Sequence, residues 1–226
     1  MKRKDFLKNS LLGLGTLAAA PTVLSSCGGD DEPVNEADCY NSPQEIKGPF
    51  PHKTPAQLVK ENIIGNRSGI PLLIVLTIEN SNDNCTPLVD ATVDLWHCDA
   101  KGNYSEYARQ QEGDMTNENF LRGRQTTDVD GKVSFISIYP GWYPGRAPHL
   151  HIEVISKEGN SLLVTQTAFP EAVSKAVYET QDYNGDFDTS NSRDAFFTNL
   201  NKNLPTSVEG DITNGYTLKE TLKVKA

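Results

Sequence analysis

The chain is poor in cysteine, poor in positive charge and almost without long apolar runs. Four cysteines stand in 226 residues, and no two form a Cys-x-x-Cys pair. A zinc ribbon and a thioredoxin-like redox site are therefore excluded. Lys and Arg number 21 against 30 Asp and Glu, a formal net charge of -9. No basic surface is left to neutralise phosphates, so nucleic acid is not an expected partner. The one sustained apolar stretch, Leu11 to Leu24, is too short and too rich in Gly and Ala for a membrane span, which takes about 20 apolar residues. What remains is 37% hydrophobic and 23% charged residues with 17 Gly and 13 Pro. That mixture excludes a collagen, a coiled coil or a disordered polymer, and the length suits one domain with a real core.

Residues 1–26 read as an export signal, because Lys2, Arg3 and Lys4 precede the apolar stretch. Arg3-Lys4-Asp5-Phe6-Leu7-Lys8 resembles the twin-arginine export motif with Lys in place of its second Arg. Leu24-Ser25-Ser26-Cys27 resembles the lipobox of bacterial lipoproteins. On that reading Cys27 is the lipidated first residue of the mature protein, and acyl chains rather than charge hold it at the membrane. The expected location is the bacterial outer membrane, on its periplasmic face or the cell surface. Residues 27–43 are rich in Asp, Glu, Asn and Pro and read as an acidic tether, with the folded domain over 44–226. Cys39, Cys85 and Cys98 are left for an oxidising compartment, which suits one disulfide and one free thiol; all three pairings stay open.

Apolar segments in the domain are short and bounded by turn residues. Pro71 to Glu79 is β-branched, Ala91 to Cys98 alternates, and Asp128-Val129-Asp130-Gly131 is a turn signal leading into Val133 to Ile138. His149 to Ile155 and Ser161 to Ala168 follow. This pattern predicts an all-β fold, a β-sandwich with short helices and long active-site loops. Helix signals are sparse: Pro170-Glu171 opens one through Tyr178, and Asp194 to Leu200 and Ala56 to Ile63 are further candidates.

Two of the four histidines are His149 and His151. On a strand, residues i and i+2 project from the same face, so both imidazoles aim at one point, as metal ligation requires. Tyr104 follows one strand in Gly102-Asn103-Tyr104-Ser105, and Tyr143 lies in Pro140-Gly141-Trp142-Tyr143-Pro144. A phenol becomes a ligand only where a strongly charged cation stabilises the phenolate. Anionic oxygen beside imidazole suits ferric iron better than zinc, calcium or cuprous copper. Tyr139 is an alternative to Tyr143. His97 reads as structural, Trp96, Trp142 and Leu95 as core or pocket wall, and Gln125 as a candidate for the pocket lining. Asp182, Asn184, Asp186 and Asp188 alternate like a calcium loop, but Arg193 replaces the closing Glu, which leaves a polar turn.

From about Gly48 to Tyr178 the sequence resembles the intradiol ring-cleavage dioxygenases, non-haem Fe(III) enzymes that open catechols between their two hydroxyls. The segments that carry the resemblance run from Pro87 to Ser105, Phe120 to Asp128 and Tyr139 to His151. By position, the family's two ligand tyrosines fall on Tyr104 and Tyr143, its paired histidines on His149 and His151, and its catalytic arginine on Arg146. The resemblance implies a ferric cofactor, O2 and a catechol-type substrate, and a cis,cis-muconate-type dicarboxylic acid as product. It also implies that Tyr143 is the ligand released to take a proton, with Tyr104 retained. Gly48-Pro49-Phe50 resembles a Gly-Pro-Tyr segment near the family's active site, with Phe50 lacking the hydroxyl. The stretch after Cys27 leaves little room for the helical dimerisation segment some relatives carry, so a monomer is expected. The rival reading is a non-catalytic transthyretin-like β-sandwich binding lipoprotein, which accounts for the strands and not for the Tyr, His and Arg set.

Overall fold

A computed structural model describes residues 39–226 apart from Thr198. The expected export signal, the lipidated Cys27 and residues 28–38 of the tether lie outside the described residues. In the β-branched run Pro71–Asn80 (β1), alternation sends Leu72, Ile74, Leu76 and Ile78 into the interior. The further strands are β2 (Thr86–Pro87), β3 (Thr92–Trp96), β4 (Arg122–Thr126), β5 (Lys132–Ile138), β6 (His149–Ile155), β7 (Ser161–Ala168), β8 (Ser207–Asp211) and β9 (Gly215–Val224). Helix α1 spans Glu171–Tyr178 and α2 is a single turn, Leu200–Asn203. Among the described residues no helix is long and apolar enough to cross a membrane.

One sheet is built around β1, with β2 and β5 along one of its edges, β9 along the other and β8 beyond β9. The β1–β9 pairing is parallel, running from Leu72 opposite Tyr216 to Asn80 opposite Val224. The second sheet is antiparallel, in the order β4-β3-β6-β7. Leu72, Ile74 and Leu76 of the first sheet and Val93, Leu95, Leu150 and Ile152 of the second belong to one buried core. Fully burying such a side chain stabilises the fold by about 1.5–3 kcal/mol. The predicted sandwich is thus the observed one.

Strand alternation also fixes the opposite face of the second sheet. Because Leu95, Leu150 and Ile152 point into the core, Trp96, His149 and His151 project the other way. That face is covered by the chain before β1. Val164 O accepts from Glu45 N, Gln166 Nε2 donates to Ile46 O, and Phe50 O accepts from Arg122 Nη1. The site is therefore assembled outside the sandwich core, under an N-terminal arm.

Several expectations are corrected. Ala56 to Ile63 holds only a 3-10 turn at Pro55–Gln57 and then isolated bridges from Val59 to Arg124 and Asn62 to Ile136. Its Asn62-Ile63-Ile64-Gly65 end favours extended pairing over helix. Asp194 to Leu200 is likewise not one helix, because a 3-10 turn ends at Arg193 and α2 begins at Leu200. The folded unit reaches back to Cys39, which forms a disulfide with Cys85 and so removes residues 39–43 from the tether. Cys98 is the free, buried thiol. β4, β8 and β9 were not among the expected strands, although Tyr216-Thr217-Leu218-Lys219-Glu220-Thr221-Leu222 alternates in burial along β9.

Candidate functional site

β6 carries both histidines to one point, with His149 Nε2 and His151 Nε2 3.1 Å apart. The Nδ1 of His149 lies 2.6 Å from Ala147 O. A carbonyl accepts only, so the proton sits on Nδ1 and Nε2 presents its lone pair. Trp96, directly opposite His151 in the sheet register, stacks on its ring at 5.0 Å with 3° between the planes. The other side of His151 is closed by backbone: a Cβ on Gly48 would meet His151 Cε1 at 2.8 Å, and Gly48 has φ +69°. Only glycine fits there.

Tyr104 is delivered by the turn after β3. Asp99 Oδ1 accepts from Lys101 N and Asn103 N, at 2.9 and 2.8 Å, and this folds the chain back onto the sheet. The Tyr104 ring is fully buried, stacked on Phe50 at 4.7 Å and 5.7 Å from Tyr143. Tyr143 is held by the loop around it: Trp142 Nε1 donates to Gly185 O and Gly145 N to the Asp188 carboxylate. The aspartate-rich segment 182–188 is thus a polar brace for the Tyr143 loop. Tyr139 is not a competitor, because its hydroxyl is in the core at 2.8 Å from Ser174 Oγ.

Arg146 joins these groups. Its Nε donates to Asp194 at 2.9 Å, its Nη2 to Gln166 Oε1 at 2.5 Å and its Nη1 to Tyr143 Oη at 3.1 Å. Nη1 also lies 3.4 Å from His149 Nε2. All five residues singled out in the sequence, Tyr104, Tyr143, Arg146, His149 and His151, therefore meet in one place. Gln125 does not: in the strand alternation it shares the core-side face of Gly123 and Val93, whereas Trp96 and Arg122 face the site. His97 is structural, spanning Cys98 O and Ser137 Oγ.

Burial sets the protonation of the cluster. It pushes His149 down to about 3, with Arg146 adding to the effect, and holds His151 well below the usual imidazole range. Both rings are neutral at neutral pH and offer lone pairs. Burial moves both phenols the other way, Tyr104 well above the ordinary tyrosine value and Tyr143 above it too, with Arg146 opposing the rise. Without a strong cation nearby both stay protonated. Tyr104 Oη and His151 Nδ1 are buried with no hydrogen-bond partner, which costs about 1–3 kcal/mol for each group.

Among the described residues no three His, Cys, Asp or Glu converge for a metal; the donor set here is two imidazoles and two phenols. It fits a hard trivalent cation. The facing Nε2 atoms and the unpartnered Tyr104 Oη are what such an ion would satisfy, and its charge is what would ionise the phenols.

Sequence reading missed three supporting residues. Arg122 is fully buried, with Nε on Ser105 Oγ, Nη2 on Ser105 O and Nη1 on Phe50 O, so it ties the Tyr104 loop to the arm. It sits in the Phe120 to Asp128 segment, where an arginine flanked by Leu121 and Gly123 was the available signal. Gln166 and Asp194 grip Arg146 from β7 and from the loop before α2. Asp194, 48 residues away in sequence, gave no local signal.

Comparison with known proteins identifies the family. Residues 46–179 match the family model Dioxygenase_C, described as Dioxygenase. The chain is similar to the protocatechuate 3,4-dioxygenase beta chain of Burkholderia cepacia, 31% identical over 134 residues. That alignment covers 56% of this chain and 54% of the relative, so the match spans about half the relative's length. An intradiol ring-cleavage dioxygenase from Tetranychus urticae has a similar structure, with TM-score 0.73, 28% identity, and coverage of 83% of this chain and 95% of that one. The dioxygenase domain of a carbohydrate-binding fusion from Streptomyces sp. SirexAA-E shares the fold at TM-score 0.62 and 24% identity, covering 83% of this chain and 99% of that one. With the family model covering more than half of its residues, the chain belongs to the dioxygenase family.

Proposed function

We propose that the protein is an intradiol dioxygenase that uses non-haem Fe(III) to cleave a catechol-type diol with O2. The observation that carries this reading is the buried meeting of two neutral imidazoles and two phenols, one phenol without a partner, beside a fixed guanidinium. Tyr104, Tyr143, His149 and His151 would hold the iron. When bound, the ion would lower the pKa of the phenols and of the diol and make the diol's ring reactive toward O2.

The overall change is balanced: the bond between the two hydroxyl-bearing carbons breaks, each carbon gains one oxygen atom of O2, and a cis,cis-muconate-type diacid results. Within that change the chain's own groups have separable tasks. Tyr104 is fully buried and packed under Phe50, so it is the phenol that stays in place. Tyr143 is only partly buried and hydrogen-bonded to Arg146; it is the phenol free to move and accept a proton from the incoming diol at Oη. Arg146 Nη1 supplies a fixed N–H donor where anionic character develops on the substrate. His149 is aligned by Ala147 O and His151 by Trp96. The arm through Gly48 and Phe50 keeps water off this face.

The reading also takes the chain to be exported and lipid-anchored through Cys27, acting as a monomer on catechols met outside the cytoplasm. Its support is the signal and lipobox pattern of the first residues.

The test is a visible absorption spectrum with iron quantification on protein beginning after Cys27, before and after catechol is added without oxygen. A red-brown protein with about one iron per chain, whose band moves to longer wavelength with catechol, is expected. A protein that stays colourless after ferric loading would overturn the tyrosinate site and favour the binding-module reading.

A further inference from the structure

The two guanidinium groups that touch the site are each paired with a carboxylate of the protein itself. Arg146 is 5% exposed and its Nε is held by both oxygens of Asp194, whose side chain is fully buried. Its Nη2 is on Gln166, and its Nη1 is on Tyr143. Arg122 is fully buried, with Glu106 at 3.4 Å and its remaining donors on Ser105 and on Phe50 O. Lys53 lies over the ring of Tyr107 at 3.9 Å, one aromatic ring removed from Phe50, and its ammonium donates to Glu106 O. Among the described residues these three are the cations in contact with the aromatic and imidazole groups of the site. Each guanidinium comes with its own buried carboxylate, so neither leaves a net charge for a substrate to use.

The surroundings on the accessible side are apolar. Phe50 and Tyr143 are partly exposed, and Phe197 lies 6.4 Å from the His149 ring. Phe196 is 41% exposed and covers the Arg146 guanidinium at 4.6 Å. An anionic ring substituent entering here would leave water for aromatic faces and for carboxylates already paired with arginine. An unpaired charge in such a place is strongly disfavoured. The formal net charge of -9 opposes its approach as well.

Resting on the proposed function, we infer that the substrate is an uncharged catechol, unsubstituted or carrying alkyl or aryl groups, and that ring-carboxylated diols are rejected. This departs from what similarity to a protocatechuate 3,4-dioxygenase chain would suggest by name. Phe196, Phe197 and Phe50 provide selectivity by offering ring faces, which a neutral aromatic matches by stacking or edge contact. Asp194 and Glu106 provide it by cancelling the charge of Arg146 and Arg122.

The experiment compares catechol, 4-methylcatechol and 3,4-dihydroxybenzoate on the iron-loaded protein, as kcat/KM by oxygen uptake. Affinities are measured separately by calorimetry without oxygen. The expected result is a kcat/KM for the benzoate lower by a factor on the order of 100, with its affinity weakened in parallel. A Phe196→Lys variant, altered at an exposed position, should narrow that ratio by about tenfold by giving the carboxylate a partner. Comparable or better use of the benzoate by the unaltered protein, with catechol also cleaved, would overturn this inference and leave the proposed function standing. No oxygen uptake with any of the three would overturn the proposed function, and this inference with it.

Discussion

Arg146 shows how far a single side chain is specified by its neighbours. Its three nitrogens are assigned to three different elements, Asp194 in a loop, Gln166 on β7 and Tyr143 in the Pro/Gly link. A planar fork held at two corners has only its third corner to offer the reacting groups. Arg146→Ala is therefore expected to lower kcat by about 100-fold, the scale of losing one preorganised donor. Iron content should not change, and Arg146→Lys should not restore the rate, because an ammonium cannot hold Asp194, Gln166 and Tyr143 together. Steady-state oxygen uptake with parallel iron analysis checks this; normal turnover in the alanine variant would remove Arg146 from the mechanism. Legibility at this scale depended on distance along the chain. Tyr143, Arg146, His149 and His151 lie close together in sequence and Tyr104 sits in a recognisable turn, so all five were readable. Asp194 and Gln166 were not, because what makes them functional is a contact with Arg146 that only the folded chain creates. Gln125 is off by one step of strand alternation: its neighbour Arg124 shares the face of Arg122 and Trp96, and Gln125 is on the other.

At the scale of elements, the arm before β1 is held at both ends by different means. The Cys39–Cys85 disulfide fixes its start to the loop after β1, while backbone and side-chain hydrogen bonds at Glu45, Ile46 and Phe50 fix the part over the site. The disulfide spans a sequence separation of 46, and closing a loop of that size restricts the unfolded chain by about 4 kcal/mol in the entropic account. A Cys39→Ser, Cys85→Ser double variant should lose stability on that order in denaturant unfolding. It should keep oxygen-uptake activity within about twofold at 25 °C, because the hydrogen bonds nearer the site remain. Loss of activity while the variant is still folded would show that the disulfide, not those bonds, positions the arm. Strand-forming elements were mostly legible, since β1, β3, β5, β6 and β7 carry β-branched or alternating runs between turn residues. The arm was not, because it has no regular structure and its order comes from bonds to the sheet it covers. The expected helices over Ala56 to Ile63 and Asp194 to Leu200 failed for a related reason: edge bridges and the Arg146 contact set those backbones, and local propensity did not.

For the whole molecule, one ionisable group inside the sandwich links stability to pH. Glu220 follows the β9 alternation onto the core face, where Thr167 Oγ1 donates to it at 2.6 Å. Burial raises its pKa from the ordinary 4.5 to about 7, with the Thr167 bond opposing the rise. Between those values the folded state binds the proton more tightly than the unfolded state. The contribution to stability is thus fully present below about pH 4.5 and is lost as pH rises through 7. A shift of this size is worth on the order of 3 kcal/mol. Glu220→Gln should remove this dependence, so that the variant loses less stability than the parent between pH 5 and pH 8 by roughly that amount. Denaturant midpoints of both proteins at the two pH values provide the check, and equal losses would refute the assignment.

The parallel pairing of β9 with β1 governs when this chain is able to fold. Leu72 finds its partner in Tyr216 and Asn80 in Val224, so the central strand of one sheet keeps an open edge until residues 216–224 are available. Contacts so distant in sequence form slowly, and a chain still emerging from the ribosome cannot make them. Until β9 arrives, the edge of the Leu72 to Ile78 strand that it covers is a pairing surface open to other chains. Arrival of β9 beside β1 closes that edge and completes the sheet.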